Sequence, residues 1–247
     1  FSLYLIPINQ THRPMQQYNT QSYIQTNLRD EARYISKVYA FMAGALAVTA
    51  VVAMGVVSSP TLLQFIFGSR FVFMGLIIAE LICVGALVAA INRIPTAAAY
   101  AIFVGYAVLN GLTLSSVFLI YTSGSIASTF FITATTFAVM STYGFFTNRD
   151  LTKIGSLAYM ALIGLILASL VNYFLDSPAL YWITTYLGIL IFVALIAYDT
   201  QKIKEMYQAG HTQGEMEGKG AIMGALSLYL DFINLFLMLL RLFGRRN

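Results

Sequence analysis

Three carboxylates in this sequence stand where carboxylates are costly. Asp231 sits in the middle of "ALSLYLDFINLFLMLLRLFG", Glu80 inside "FVFMGLIIAELICVGALVAA", and Asp199 in "LIAYDTQKIK". An ionised side chain at the centre of an apolar spanning helix costs about 2.5–3.5 kcal/mol on insertion scales, and more without a partner. A second carboxylate can offset that cost. Two acids that meet in a low-dielectric site cannot both ionise cheaply, so they share a proton. Such a pair can sense pH, or bind a cation that displaces the proton. Calcium prefers oxygen ligands, and a calcium site made only of Asp199 and Asp231 would be weak, which suits conduction better than storage. Asp199 read alone is an interfacial aspartate beside Lys202 and Lys204; Asp231, on the next apolar stretch, makes it a partner. Glu80 either pairs with an arginine or stays protonated as a structural group. Arg93, closing the stretch that holds Glu80, either reaches a carboxylate of the pair or anchors that end at the interface.

The elements that must position these residues follow from composition. The chain has 247 residues, 59% hydrophobic and 10% charged, with mean hydropathy +0.76. A soluble domain carries roughly 25% charged residues, so this chain cannot cover a water-facing surface and is read as a polytopic membrane protein. A spanning helix needs about 20 apolar residues. Val38–Val57, Phe71–Ile91, Ala97–Tyr121, Ile126–Phe146, Ile154–Leu175, Leu180–Tyr198 and Ala221–Leu240 meet that length. Most connections are short; only the N-terminal tail and "DTQKIKEMYQAGHTQGEMEGKG" are long. The expected organisation is a polar, flexible tail over residues 1–33 and one seven-helix unit over residues 34–247. "FSLYLI" at the start is too short and uncharged for a signal peptide.

Lysine and arginine set the expected orientation. Arg13, Arg29, Arg33 and Lys37 precede the first stretch, and Arg93, Arg149, Lys153, Lys202, Lys204 and Lys219 occupy the even connections. The odd connections hold only Arg70. The N-terminus is therefore expected in the cytoplasm. Seven crossings would put Arg241, Arg245 and Arg246 outside, against the trend, so the last stretch either crosses or re-enters.

On a 3.6-residue helix Ser227, Asp231, Asn234, Met238 and Arg241 share one face. A polar stripe of this kind is expected to face the bundle interior. Tyr106, Asn110 and Thr113 repeat the spacing on the third stretch, and Thr129, Thr133 and Thr136 on the fourth. Interhelical hydrogen bonding or pore lining would account for either set.

"AYDTQKIK" and "LSLYLDFINLFLMLLRLFG", supported by "GLTLSSVFLIYTSGSIASTF" and "MALIGLILASLVN", resemble the Bax inhibitor-1 family, also called the transmembrane Bax inhibitor motif family. The likeness is nearest to bacterial inner-membrane members and runs from about Arg33 to Arg246. It implies an all-α integral membrane fold: a seven-transmembrane-helix bundle with a central C-terminal helix. It also implies a pH-sensitive calcium leak governed by two hydrogen-bonded aspartates, which fall here on Asp199 and Asp231. The family's arginine latch falls on Arg93. In the gate so implied, a shared proton keeps the pair closed, its loss drives the charges apart, and strong acid closes the gate again.

Three rivals use the same residues. An intramembrane aspartyl protease also places two aspartates on adjacent helices, and "YD" at Tyr198–Asp199 fits it. Its glycine-containing motif is replaced here by "LYLD", and "PAL" at Pro178–Leu180 precedes both aspartates where that family has it after them. A non-conducting regulator would bind a membrane protease or another membrane protein, and a proton-coupled transporter would exchange protons for a cation. Soluble-enzyme chemistry has little foothold: the sequence lacks a phosphate-binding glycine loop, "HExxH" and a cysteine pair. His12 and His211 read as solvated, Cys83 as a small buried hydrophobe. No cofactor is expected, and the partners are the lipid bilayer and calcium. The basic tail and loops suit anionic headgroups better than nucleic acid.

Overall fold

The computed structural model describes residues 15–209 and 215–247, with side chains from residue 29. His12, Arg13 and His211 lie outside the described residues, as does residues 1–14 of the expected tail. Among the described residues nine helices follow in order: α1 (Met15–Val57), α2 (Pro60–Phe67), α3 (Arg70–Ala90), α4 (Thr96–Leu114), α5 (Ser116–Ile120), α6 (Ser123–Phe146), α7 (Thr152–Leu175), α8 (Pro178–Gln208) and α9 (Glu215–Phe243). Seven segments are long and apolar enough to span a membrane, with α4 and α5 together forming the third. The chain is an all-α membrane protein with seven spans.

Local chemistry sets the ends. Ser59 and Ser177 each accept a backbone N–H three residues on, ahead of Pro60 and Pro178 at the first helical position. Between α7 and α8 the chain reverses on Asp176 in the left-handed region (φ 47°), which aspartate tolerates better than most residues. Asn172 Oδ1 steadies the turn by accepting from Ser177 N at 2.9 Å. Ser115 breaks the third span: the Ser115 and Ser116 hydroxyls donate to the carbonyls of Leu112 and Thr113 at 2.6 and 2.7 Å, a back-bonding that bends helices.

α9 is the centre. In its most apolar window 72% of residues are buried, against 6% for α3. The other spans form two layers around it: α4 is flanked by α1 and α3, and α8 by α6 and α7. α9 packs on α8, α1, α6 and α4, while α3 and α7 sit outside on α4 and α8. Val38, Leu87, Phe103, Ile196, Ile222, Tyr229 and Leu235 are among the buried residues joining both layers to α9.

Three features go beyond the sequence reading. The long sixth connection is largely helical: α8 runs nine residues beyond Asp199 and α9 begins at Glu215. "TQKIKEMYQ" is polar but made largely of good helix formers, so the helix continues past the apolar slab. The first connection holds an extra short helix, α2. Finally, α9 is one unbroken helix, long and apolar enough to cross, which fits crossing and not re-entry of the two readings left open. Its end is tied to the connection before α6, with Thr122 N donating to Arg245 O at 3.0 Å, Asn247 N to Ile120 O at 2.9 Å and Arg245 N to Ser125 Oγ at 2.9 Å.

Candidate functional site

Asp199 is held in place by close helix packing. A Cβ on Gly144 of α6 would lie 2.1 Å from the Ala197 carbonyl oxygen, and one on Gly155 of α7 would lie 2.4 Å from the Tyr198 ring. Glycine at these two positions lets α6 and α7 close on α8 immediately before the carboxylate. Beyond it, the Ser141 and Thr200 hydroxyls meet at 3.1 Å. Gln201 accepts from Leu151 N at 2.9 Å and donates to Arg149 O at 2.8 Å, and Lys204 Nζ donates to Phe145 O at 2.9 Å. These contacts lock the α6–α7 connection to α8.

Asp199 and Asp231 are 3% and 5% exposed, so both carboxyls are withdrawn from the surface. Their relative level follows from Ile203, which lies against Gly224. At 1.5 Å per residue, Asp199 stands about 6 Å and Asp231 about 10 Å along the bundle from that contact. Asp231 thus stands about one helical turn farther along the bundle than Asp199, and no hydrogen bond joins them among the described residues. Asp231 Oδ2 has no hydrogen-bond partner among the described residues. Asp199 takes its donor from α7: the Tyr159 hydroxyl lies 3.0 Å from Oδ1 and 3.2 Å from Oδ2. The site is therefore two offset carboxyls and one phenol, with Lys202 lying over the Tyr198 ring at 5.8 Å.

The other expected site residues go elsewhere. Glu80 has no arginine partner within ion-pair distance among the described residues. Thr113 Oγ1 donates to it at 2.6 Å and Asn110 Nδ2 at 3.4 Å. Tyr229 OH donates to Asn110 Oδ1 at 3.2 Å, and Tyr229 OH and Thr49 Oγ1 meet at 2.7 Å. This second network runs through α3, α4, α9 and α1, with no hydrogen bond to the aspartates among the described residues. Arg93 is exposed on the turn after α3 and makes no ion pair among the described residues. On α9, Ser227, Asn234, Met238 and Arg241 are half-buried. Asn234 Nδ2 donates to Leu230 O at 2.8 Å, and Met238 packs on Gly188 of α8 beside Leu165 of α7. The threonines of α6 do not bridge helices: Thr133 and Thr136 donate to their own helix, and Thr129 Oγ1 has no partner. No group of three or more His, Cys, Asp or Glu converges among the described residues.

Tyr159 is the neighbour that sequence reasoning missed. Gly155 and Tyr159 lie four apart on one face of α7, so a glycine-sized contact followed one turn later by a phenol was the available signal.

Seven spans around a buried C-terminal helix with an aspartate at its centre define a polytopic membrane bundle with an ionisable core. Residues 31–247 match the family described as "Inhibitor of apoptosis-promoting Bax1". The chain is 49% identical over 215 residues to the Inner membrane protein YbhL of Escherichia coli K12, covering 87% of this chain and 92% of that one. It is 44% identical to an uncharacterised protein of Borreliella burgdorferi, with 87% and 93% covered. To protein RP147 of Rickettsia prowazekii it is 46% identical, with 87% and 90% covered. The chain belongs to the Bax inhibitor-1 family.

Proposed function

We propose that this protein is a calcium-permeable leak channel of a bacterial inner membrane, gated by the protonation of Asp199 and Asp231, with its N-terminus in the cytoplasm. The observation that carries the reading is the buried Asp231 carboxyl, orphaned at one oxygen among the described residues, with a second buried carboxyl about one helical turn away in level along the bundle. A carboxyl in dry surroundings without a partner stands at lower cost neutral than charged. Removing its proton leaves two buried negative charges whose levels along the bundle differ by about one helical turn, with the single Tyr159 hydroxyl donating to one of them. For scale, two unit charges 4 Å apart repel by about 4 kcal/mol at an effective dielectric of about 20. That is enough to shift a two-state helix packing, or to be relieved by a passing divalent cation. The orientation rests on the basic residues gathered at the Lys202–Lys204 end. Arg93 is the proposed latch, engaging a carboxylate only in the charged state.

The test is calcium flux into proteoliposomes between about pH 5 and about pH 9, comparing the parent with Asp199→Asn and Asp231→Asn. Flux should rise as pH rises through the titration of the pair, and both variants should lose or shift that dependence. Folded protein without flux at any pH would overturn conduction in favour of a regulator that binds another membrane protein. Flux that requires a proton gradient would indicate a transporter.

A further inference from the structure

Arg241, Arg245 and Arg246 stand at the end of the bundle opposite the one where basic residues gather. Two of them share a purpose-built setting. The last turn of α7, the first turns of α8 and the end of α9 enclose two contiguous polar hollows of about 540 Å³ each. The hollows share Asn172, Asp176, Tyr181 and Arg241, and Arg246 lines one of them. That volume lies in the range of about 300–1,000 Å³ typical of ligand pockets.

Tyr181 holds both guanidiniums. Arg241 lies over its ring, 5.6 Å from the centroid, and Arg246 Nη2 donates to its hydroxyl at 3.5 Å. Arg246 is not on a loose end, because the Thr122–Arg245 and Asn247–Ile120 hydrogen bonds fix the backbone on either side of it. Asp176 is the carboxylate in the lining, and it lies beyond ion-pair distance of both arginines among the described residues. Arg70 adds a further guanidinium at the rim by donating to Tyr173. The lining is thus net positive, and neither guanidinium has a carboxylate partner within ion-pair distance among the described residues. Such a lining repels a cation, so this is a poor mouth for calcium. It suits an anion, and arginine's planar fork matches the oxygens of a phosphate ester.

The surroundings favour a lipid over a free ion. Tyr173, Phe174, Leu175 and Trp182 are exposed beside the hollow, and Trp182 stacks on Tyr186. Aromatic side chains of this kind gather where headgroups meet acyl chains. We propose that this hollow binds the phosphodiester headgroup of an anionic phospholipid, with Arg241 and Arg246 supplying the donors and Tyr181 holding them apart. The site accounts for arginines that the orientation rule disfavours at this end.

The test titrates the full chain, in neutral detergent, with dioleoylphosphatidylglycerol or dioleoylphosphatidylcholine and counts bound lipid by native mass spectrometry. The parent should retain the anionic lipid in preference by on the order of tenfold, two surface cations each contributing severalfold. Arg241→Gln combined with Arg246→Gln should abolish the preference, and Arg245→Gln, which removes one positive charge at the same end but outside the hollow, should leave it intact. An unchanged preference in the double variant, or an equal loss in Arg245→Gln, overturns the site. Displacement of the bound lipid by millimolar inorganic phosphate would identify a free-phosphate site and overturn the lipid reading. Should the double variant not fold, Tyr181→Phe removes only the hydroxyl that holds Arg246. Its preference should drop severalfold, and an unchanged value again overturns the proposal.

Discussion

Tyr159 donates to both oxygens of Asp199, and a hydrogen bond to a charged group is worth about 1.5–3 kcal/mol. In the proposed gate it stabilises the ionised carboxylate, so Tyr159→Phe should move the flux midpoint toward alkaline pH by about one unit. An unmoved midpoint would remove Tyr159 from the mechanism. At the edge of the bundle, Asp150 Oδ1 accepts from Thr152 N at 2.8 Å. The side-chain and backbone hydrogen bonds of Thr152 hold the Asp150 carboxyl below its ordinary range. A depressed carboxylate contributes stability that is complete above its unfolded-state pKa and is lost as pH falls through the folded one. The protection of the Thr152 amide, its exchange relative to the intrinsic rate at each pH, should therefore fall in acid, whereas in Asp150→Asn it should lose that acid-induced change. Asp231 could be singled out from the sequence because an acid in hydrocarbon is conspicuous. Tyr159 was far less conspicuous, because an aromatic residue on a spanning helix looks the same whether it faces lipid or a carboxylate, and only its spacing from Gly155 marked it.

Helix contacts separate glycines that matter from those that do not. Gly144→Ala forces a methyl group into the Ala197 carbonyl, which is backbone and cannot swing aside. Overpacking of this kind costs about 1–3 kcal/mol, and thermal unfolding in detergent should read it as a lowered midpoint. Gly85 of α3 has nothing within 4 Å of its added Cβ, so Gly85→Ala should be neutral or stabilise by up to about 1 kcal/mol. Gln201→Ala strands Leu151 N and Arg149 O and should cost about 1–3 kcal/mol by the same measurement. Span number and rough position were legible because hydropathy reports which segments tolerate lipid. The reach of α8 past Asp199 was not, because a helix leaving the membrane keeps its hydrogen bonds after it loses its apolar pattern. α2 was hidden for a related reason: eight residues are too few to span, and only Ser59 and Pro60 mark its start.

Across the whole molecule, the polar groups fall into two unconnected sets. One couples α7 and α8 through Tyr159 and Asp199. The other ties α3, α4, α9 and α1 through Glu80, Asn110, Tyr229 and Thr49. Only the second set is hydrogen-bonded to α9; Asp231 adds a buried carboxyl beside the first without a hydrogen bond to it among the described residues. Spacing alone could place Asn110 and Asp231 on helix faces, but it could not say which faces met.

The full crossing of α9 makes the number of spans odd. Reporters joined ahead of α1 and behind α9 must then occupy different compartments. Fluorescent protein, which matures in the cytoplasm, and alkaline phosphatase, which needs an oxidising space, should give opposite readouts at the two ends. A protease added to one face of sealed vesicles should trim one label and spare the other.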